Sequence, residues 1–174
     1  MKIYFAGDHA GFELKKDLME YVKGLGHEVE DLGPLEPEAG DDYPDYVIPL
    51  AIRIAKAQID ADTTQINADT FISVHQRAHQ HASASVRGIV VAGSGQGEII
   101  AMNRVKGVRA ALFCSCNLEL VKASRDHNDS NIFAIGARFC TLDEAKKGIT
   151  VWLETPFSNE ERHIRRLKKI DSST

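Results

Sequence analysis

Apolar residues fall into short unbroken runs separated by longer amphipathic stretches. Ile3–Ala6, Ile89–Ala92, Val108–Phe113 and Ile132–Ile135 read as strands, and Glu28–Leu32, closed by Gly33-Pro34, as another. Between them, Phe12, Leu14, Leu18, Tyr21, Val22 and Leu25 recur at helical spacing, with Gly24 and Gly26 ending the segment. Val47–Ala57, Ile99–Val105, Leu118–Arg125 and Leu142–Leu153 predict further helices, and Asn159–Ile170 a basic amphipathic one. Pro49 must then lie in a first turn or kink its helix. Strands without polar alternation, each followed by a helix, imply a parallel sheet covered on both faces. The expected fold is α/β, a three-layer αβα Rossmann-like sandwich on five parallel strands.

Residues 58–85 break this rhythm. They are mostly polar, lack Gly and Pro, and carry weak periodicity, so they read as an insertion in a single domain spanning 1–174. His75, His79 and His81 lie within it, and 75 and 79 would share a helix face; we read them as solvated histidines rather than metal ligands. Cys114-Ser-Cys116 resembles half a zinc site, but no second pair completes it. With Cys140 these are the only three cysteines, which argues against a disulfide framework and for a reducing cytoplasm. The N-terminus lacks the apolar core and cleavage site of a signal peptide. No apolar stretch is long enough to span a bilayer. A net charge of −4 over 174 residues removes the bulk electrostatic case for nucleic acid.

In parallel sheets ligands bind beyond the carboxyl ends of the strands. Those ends carry Gly7-Asp8-His9, the loop Gly93-Ser94-Gly95-Gln96-Gly97-Glu98, and Gly136-Ala137-Arg138. Three alternating glycines before a helix allow close backbone approach and aim free N–H groups at an anion or a developing oxyanion; a plain tight turn is the competing reading. The spacing is GxGxG rather than the dinucleotide GxGxxG, and no GK[ST] occurs. Glu98 is either a dipole partner or a base beside an oxyanion site. Asp8 and His9 are either turn residues or part of the same rim. His127, followed by Asn128, is placed to complement a helix end. Arg162 and Arg166 share one helix side, either as a solvated face or as an anion site.

The segments FAGDHAGFELK, DDYPDY, GSGQGEIIAMNR, SRDHNDSN, IGARF and ERHIRR, in that order, resemble the type B ribose-5-phosphate isomerase family, which includes galactose-6-phosphate isomerase subunits. The resemblance implies aldose–ketose isomerisation of a sugar phosphate through an enediolate, without metal or organic cofactor. It implies a homodimer with shared active sites, or a tetramer, and neither nucleic-acid nor membrane partners. Many relatives place a cysteine base at the end of the third strand; here that position is Ala92. A second subgroup carries a glutamate at the end of the glycine loop, which Glu98 matches. The resemblance thus makes Glu98 the base, with Ser94 and the amides of Gly95, Gln96 and Gly97 holding the enediolate. Asp8 and His127 match ring-opening residues. His9, Arg138, Arg162 and Arg166 match a phosphate site, the last two coming from the partner subunit. Tyr43, Tyr46, Gly93, Asn103 and Asn128 complete the substrate side. Ribose 5-phosphate is the expected substrate, with C4 or C6 sugar phosphates as alternatives. A non-catalytic phosphosugar-binding module and a nucleotide-binding flavodoxin-like protein are the rival classes.

Overall fold

The computed structural model describes residues 1–69, 86–113 and 117–172. Five strands, β1 (Lys2–Gly7), β2 (Glu28–Asp31), β3 (Val86–Ala92), β4 (Ala110–Phe113) and β5 (Ile132–Gly136), form one sheet in the order β2-β1-β3-β5-β4. Every pairing is parallel. Among the described residues, six α-helices connect and follow the strands: α1 (Phe12–Gly24), α2 (Pro44–Asp69), α3 (Gln96–Met102), α4 (Leu118–Asp126), α5 (Leu142–Glu154) and α6 (Glu161–Asp171).

Alternate residues of one strand serve opposite cores, which explains why the strands show no polar face. Ile89 and Val91 pack with Leu18 and Val22 of α1, Val121 of α4, and Ile149 and Trp152 of α5. Val90 points the other way, toward Val47, Leu50 and Ile54 of α2 and Met102 of α3. Trp152 stacks on Phe133 at 5.2 Å and donates its indole N–H to Ser130 at 2.8 Å, so its polar atom is satisfied inside the core. Below it, Arg87 donates to the Trp152 and Leu153 carbonyls and Arg125 to that of Thr155, serving the carbonyls at the end of α5.

Several boundaries differ from the sequence reading. Helix α2 begins at Pro44, where a missing N–H costs nothing, and runs past Pro49 to Asp69. The first part of the 58–85 stretch therefore continues a helix. The remainder, with His75, His79 and His81, lies outside the described residues, as do Cys114 and Cys116. Helix α3 starts at Gln96 rather than Ile99, because Gly95, at φ +78°, turns the chain and its carbonyl already accepts the Ile99 N–H. Among the described residues, no helix is long and apolar enough to cross a membrane.

Candidate active site

β2 and β3 lie on opposite sides of β1, so the chain reverses direction between β1 and β3, where such sheets open a crevice at the carboxyl ends. Asp8 joins the two loops there. Its Oδ1 accepts the Gly11 N–H at 2.9 Å and its Oδ2 the Gly93 N–H at 3.1 Å. Gly7 and Gly11 press so closely on β3 that a Cβ on either would meet the Val91 carbonyl oxygen at 2.1 Å. The GDHAG spacing is thus a packing requirement that brings Asp8 and His9 to the rim.

Glu98 occupies the first turn of α3 and is 4% exposed. Burial pushes its carboxyl above the ordinary range; its own backbone N–H partly opposes this, and the nearby Asp8 charge adds to it. A carboxylate made more basic by burial, beside the exposed hydroxyl of Ser94 and the loop amides, can move a proton next to an oxygen that is gaining charge. The Ser94 Oγ accepts the Gln96 N–H at 3.3 Å, which shapes the loop. The Tyr43 phenol lies across Gly97: a Cβ there would meet its Oη at 2.5 Å. The Arg138 guanidinium lies over Gly93 in the same sense, its Cζ 3.4 Å from such a Cβ. Backbone bonds from Ala137 to Ala92 (2.7 Å) and from Arg138 to Gly93 (3.2 Å) tie that loop in place. Asp8, His9, Tyr43, Gly93–Glu98 and Arg138 are therefore brought to one rim.

The remaining expected residues take other places within a single chain. Asn103 caps the far end of α3, where its amide exchanges two bonds with the Ala110 backbone (3.1 and 2.8 Å); it fastens α3 to the start of β4 and stands away from the rim. Tyr46 packs against Gly33, at the end of β2, instead of the glycine loop. His127 and Asn128 follow α4, whose C-terminus lies at the amino end of β5. They lie toward the amino ends of the strands, whereas Glu98 follows the carboxyl end of β3. α6 is there too: the His163 ring packs tilted against that of His127, with ring centres 4.5 Å apart. Arg162 and Arg166 belong to that helix, so the expected residues fall into two separate groups within one chain, with His127 and Asn128 near the helix that carries the arginines. Arg162 is engaged by Glu160 at 2.7 Å.

Sequence reasoning passed over two further residues. Lys15 is completely buried, paired with Asp31 at 2.7 Å and the Pro34 carbonyl at 2.7 Å, behind the Gly33-Pro34 corner. Burial lowers its pKa, and Asp31 opposes that shift. Its position in the apolar stripe Phe12–Lys15–Leu18–Val22 was a readable signal. Asp41 is one of several acids in its loop, yet its side chain is 2% exposed and holds His9. Among the described residues, no group of three His, Cys, Asp or Glu is arranged to hold a metal ion.

The fold is an open parallel α/β sheet that carries a buried carboxylate directly after a glycine-rich loop at the carboxyl ends of its strands. The Ribose/Galactose Isomerase family model matches residues 3–64 and 59–170, and the chain belongs to that family. It is similar to ribose-5-phosphate isomerase B of Mycobacterium tuberculosis, 35% identical over 96% of this chain and 86% of that protein. Among solved structures it resembles the Clostridium thermocellum ribose-5-phosphate isomerase B, with TM-score 0.79, 34% identity, and coverage of 99% of this chain and 97% of that one. The Mycoplasma genitalium ribose-5-phosphate isomerase B, solved with bound ribulose 5-phosphate, superposes with TM-score 0.78 at 32% identity over 99% of this chain and 95% of that one.

Proposed function

We propose that the protein interconverts ribose 5-phosphate and ribulose 5-phosphate, with Glu98 as the base. The carrying observation is the buried, basicity-raised Glu98 at the mouth of the glycine loop. In the open-chain aldose Glu98 takes the C2 proton, and charge develops on the carbonyl oxygen, where Ser94 and the loop amides receive it. Protonation at C1 and transfer of one proton between the two oxygens give the ketose, so nothing is oxidised overall. Ala92, fully buried where many relatives have cysteine, offers no competing base. The names and bound ligand of the relatives support the same substrate pair.

The phosphate is assigned to His9 and Arg138 on one rim and to Arg162 and Arg166 from a second copy of the chain, with His127 and Asn128 entering alongside those arginines. The separation of the two groups within one chain supports this: neither half is complete alone, and a two-fold dimer would form two composite sites. A cytoplasmic setting belongs to the same reading, supported by the low count of three cysteines in 174 residues.

The test is isomerisation of ribose 5-phosphate, run beside C4 and C6 sugar phosphates, followed by subunit complementation. Glu98→Gln and Arg166→Ala subunits, each inactive or weak alone, are mixed after reversible dissociation. Random pairing leaves half the dimers mixed, each with one intact site, so activity returns to about a quarter of wild type. No recovery, with subunit exchange confirmed, refutes the shared site. No turnover of any sugar phosphate leaves a binding module.

A further inference from the structure

The bond network between His9 and Asp41 has a direction that fixes chemistry at the rim. Asp41 uses both carboxylate oxygens on one residue: Oδ2 accepts the His9 backbone N–H at 3.0 Å, and Oδ1 meets His9 Nδ1 at 2.5 Å. The Asp41 side chain is 2% exposed, whereas that of His9 is 40% exposed. The ring edge bearing Nδ1 is thus the sheltered one, and the accessible edge bears Nε2. An ionised carboxylate can only accept, so Nδ1 must carry the hydrogen. A histidine's free nitrogen is set in this way by what its other nitrogen bonds. The loop is shaped for the contact. Gly40 at φ +90° precedes Asp41, and the Asp41 N–H closes a turn on the Glu38 carbonyl at 3.2 Å. Two residues on, Tyr43 crosses Gly97 beside Glu98.

We infer that Asp41 is a positioning residue: it holds the His9 imidazole with the hydrogen on Nδ1, so that Nε2 alone meets the substrate. The same two bonds dock the acidic loop against the end of β1. The pairing matters for a phosphorylated ligand because this loop carries Glu36, Glu38 and Asp42 as well, all repulsive to a dianion. The His9 ring stands between the buried Asp41 charge and the accessible side of the site, so a ligand meets an imidazole edge instead of a carboxylate. A ring left unheld would present either nitrogen, and the phosphate contact would lose its fixed donor.

This inference rests on the phosphate-site role given to His9 above, and its test separates the two. Imidazole nitrogens are observed in ¹⁵N-labelled protein from about pH 6 to 9, with His9 assigned by the signals lost in His9→Gln. The expected result is a protonated Nδ1 throughout, with exchange confined to Nε2. In Asp41→Ala and Asp41→Asn that preference is lost. In both, KM for ribose 5-phosphate rises about 10-fold to 100-fold, as expected for losing a hydrogen bond to a charged group, while kcat changes little. Using both variants guards against one that folds poorly, since Asn keeps a single acceptor and nearly the same shape. A bare Nδ1 in the wild-type protein overturns the proposal. So does a His9 spectrum unchanged in both variants, or an unchanged KM in an active enzyme. A wild-type protein inactive on every sugar phosphate would count against the isomerase reading, and the nitrogen spectra would still decide the pairing.

Discussion

Glu98→Gln should damage activity and improve stability at once, because one feature, burial of a carboxylate, causes both. On the activity side Gln cannot accept the C2 proton. A positioned base is typically worth about 10² to 10⁴ in rate, and kcat should fall by that much, with phosphate-ligand binding retained. Exchange of the C2 hydrogen with solvent deuterium should fall with it. On the stability side the sign follows from the raised pKa. Below the unfolded-state value of about 4.5 the carboxyl is protonated folded and unfolded alike, so the variant and wild type differ little from this source. Above it the unfolded chain ionises freely while the folded site resists, so wild type loses stability until pH passes the folded value. Beyond that the loss is complete and constant. Its size is about 1.4 kcal/mol for each pH unit separating folded from unfolded values. Gln carries no such penalty, so the stability advantage of Glu98→Gln should open between pH 4.5 and the folded value and then plateau. Urea denaturation of both proteins across that range reads the difference directly. If wild type instead gains on the variant as pH rises, the side chain is held as a stabilised anion and the argument for a buried base fails.

Asp8→Asn removes a neighbouring negative charge, so the acid limb of kcat/KM should move to lower pH; an unmoved limb would show that Asp8 does not act on Glu98. Lys15→Met leaves the Asp31 carboxylate without its cation and the Pro34 carbonyl without its donor, and denaturation should show a loss of about 3 to 5 kcal/mol. Thiol-blocking reagents should leave turnover largely intact, because Ala92 stands at the end of β3 and Cys140 directs its Sγ to the Gly136 carbonyl; stoichiometric inactivation would contradict this.

The layered fold was legible because burial on both faces leaves an unmistakable mark: runs such as Ile89–Val90–Val91–Ala92 have no polar face, and each is followed by a 3.6-residue pattern. Strand order was not legible. It depends on which side each crossover takes, and β5 inserting between β3 and β4 leaves no local trace in composition. The rim residues were legible through their backbone constraints. Gly7, Gly11 and Gly97 sit where a neighbour's backbone or ring occupies the space of a side chain, and that pressure selects glycine in sequence. Helix α2 was underestimated for the opposite reason. Its polar continuation past Ala57 lacks the apolar stripe that a core-packed helix requires, although it continues an existing helix and needs no new nucleus.

Asp41 shows where residue-by-residue reading stops. In the sequence it is one of several acids in PLEPEAGDDYPDY, and nothing local separates it from Asp42. In the fold the difference comes from a contact across 32 residues that only the β1–β2 pairing brings within reach. His127 is the converse case. Its local setting, the end of α4, was read correctly, yet the rim it occupies is set by chain direction: a helix leaving the carboxyl end of β4 must return to the amino end before β5 can begin. By the same rule, residues just after a strand gather at the Glu98 rim and residues just after a helix gather opposite. On the reading proposed above, a site that draws on both kinds of position would be closed by a second copy related by a two-fold axis, each partner supplying the other's missing half, and the subunit-mixing experiment decides it.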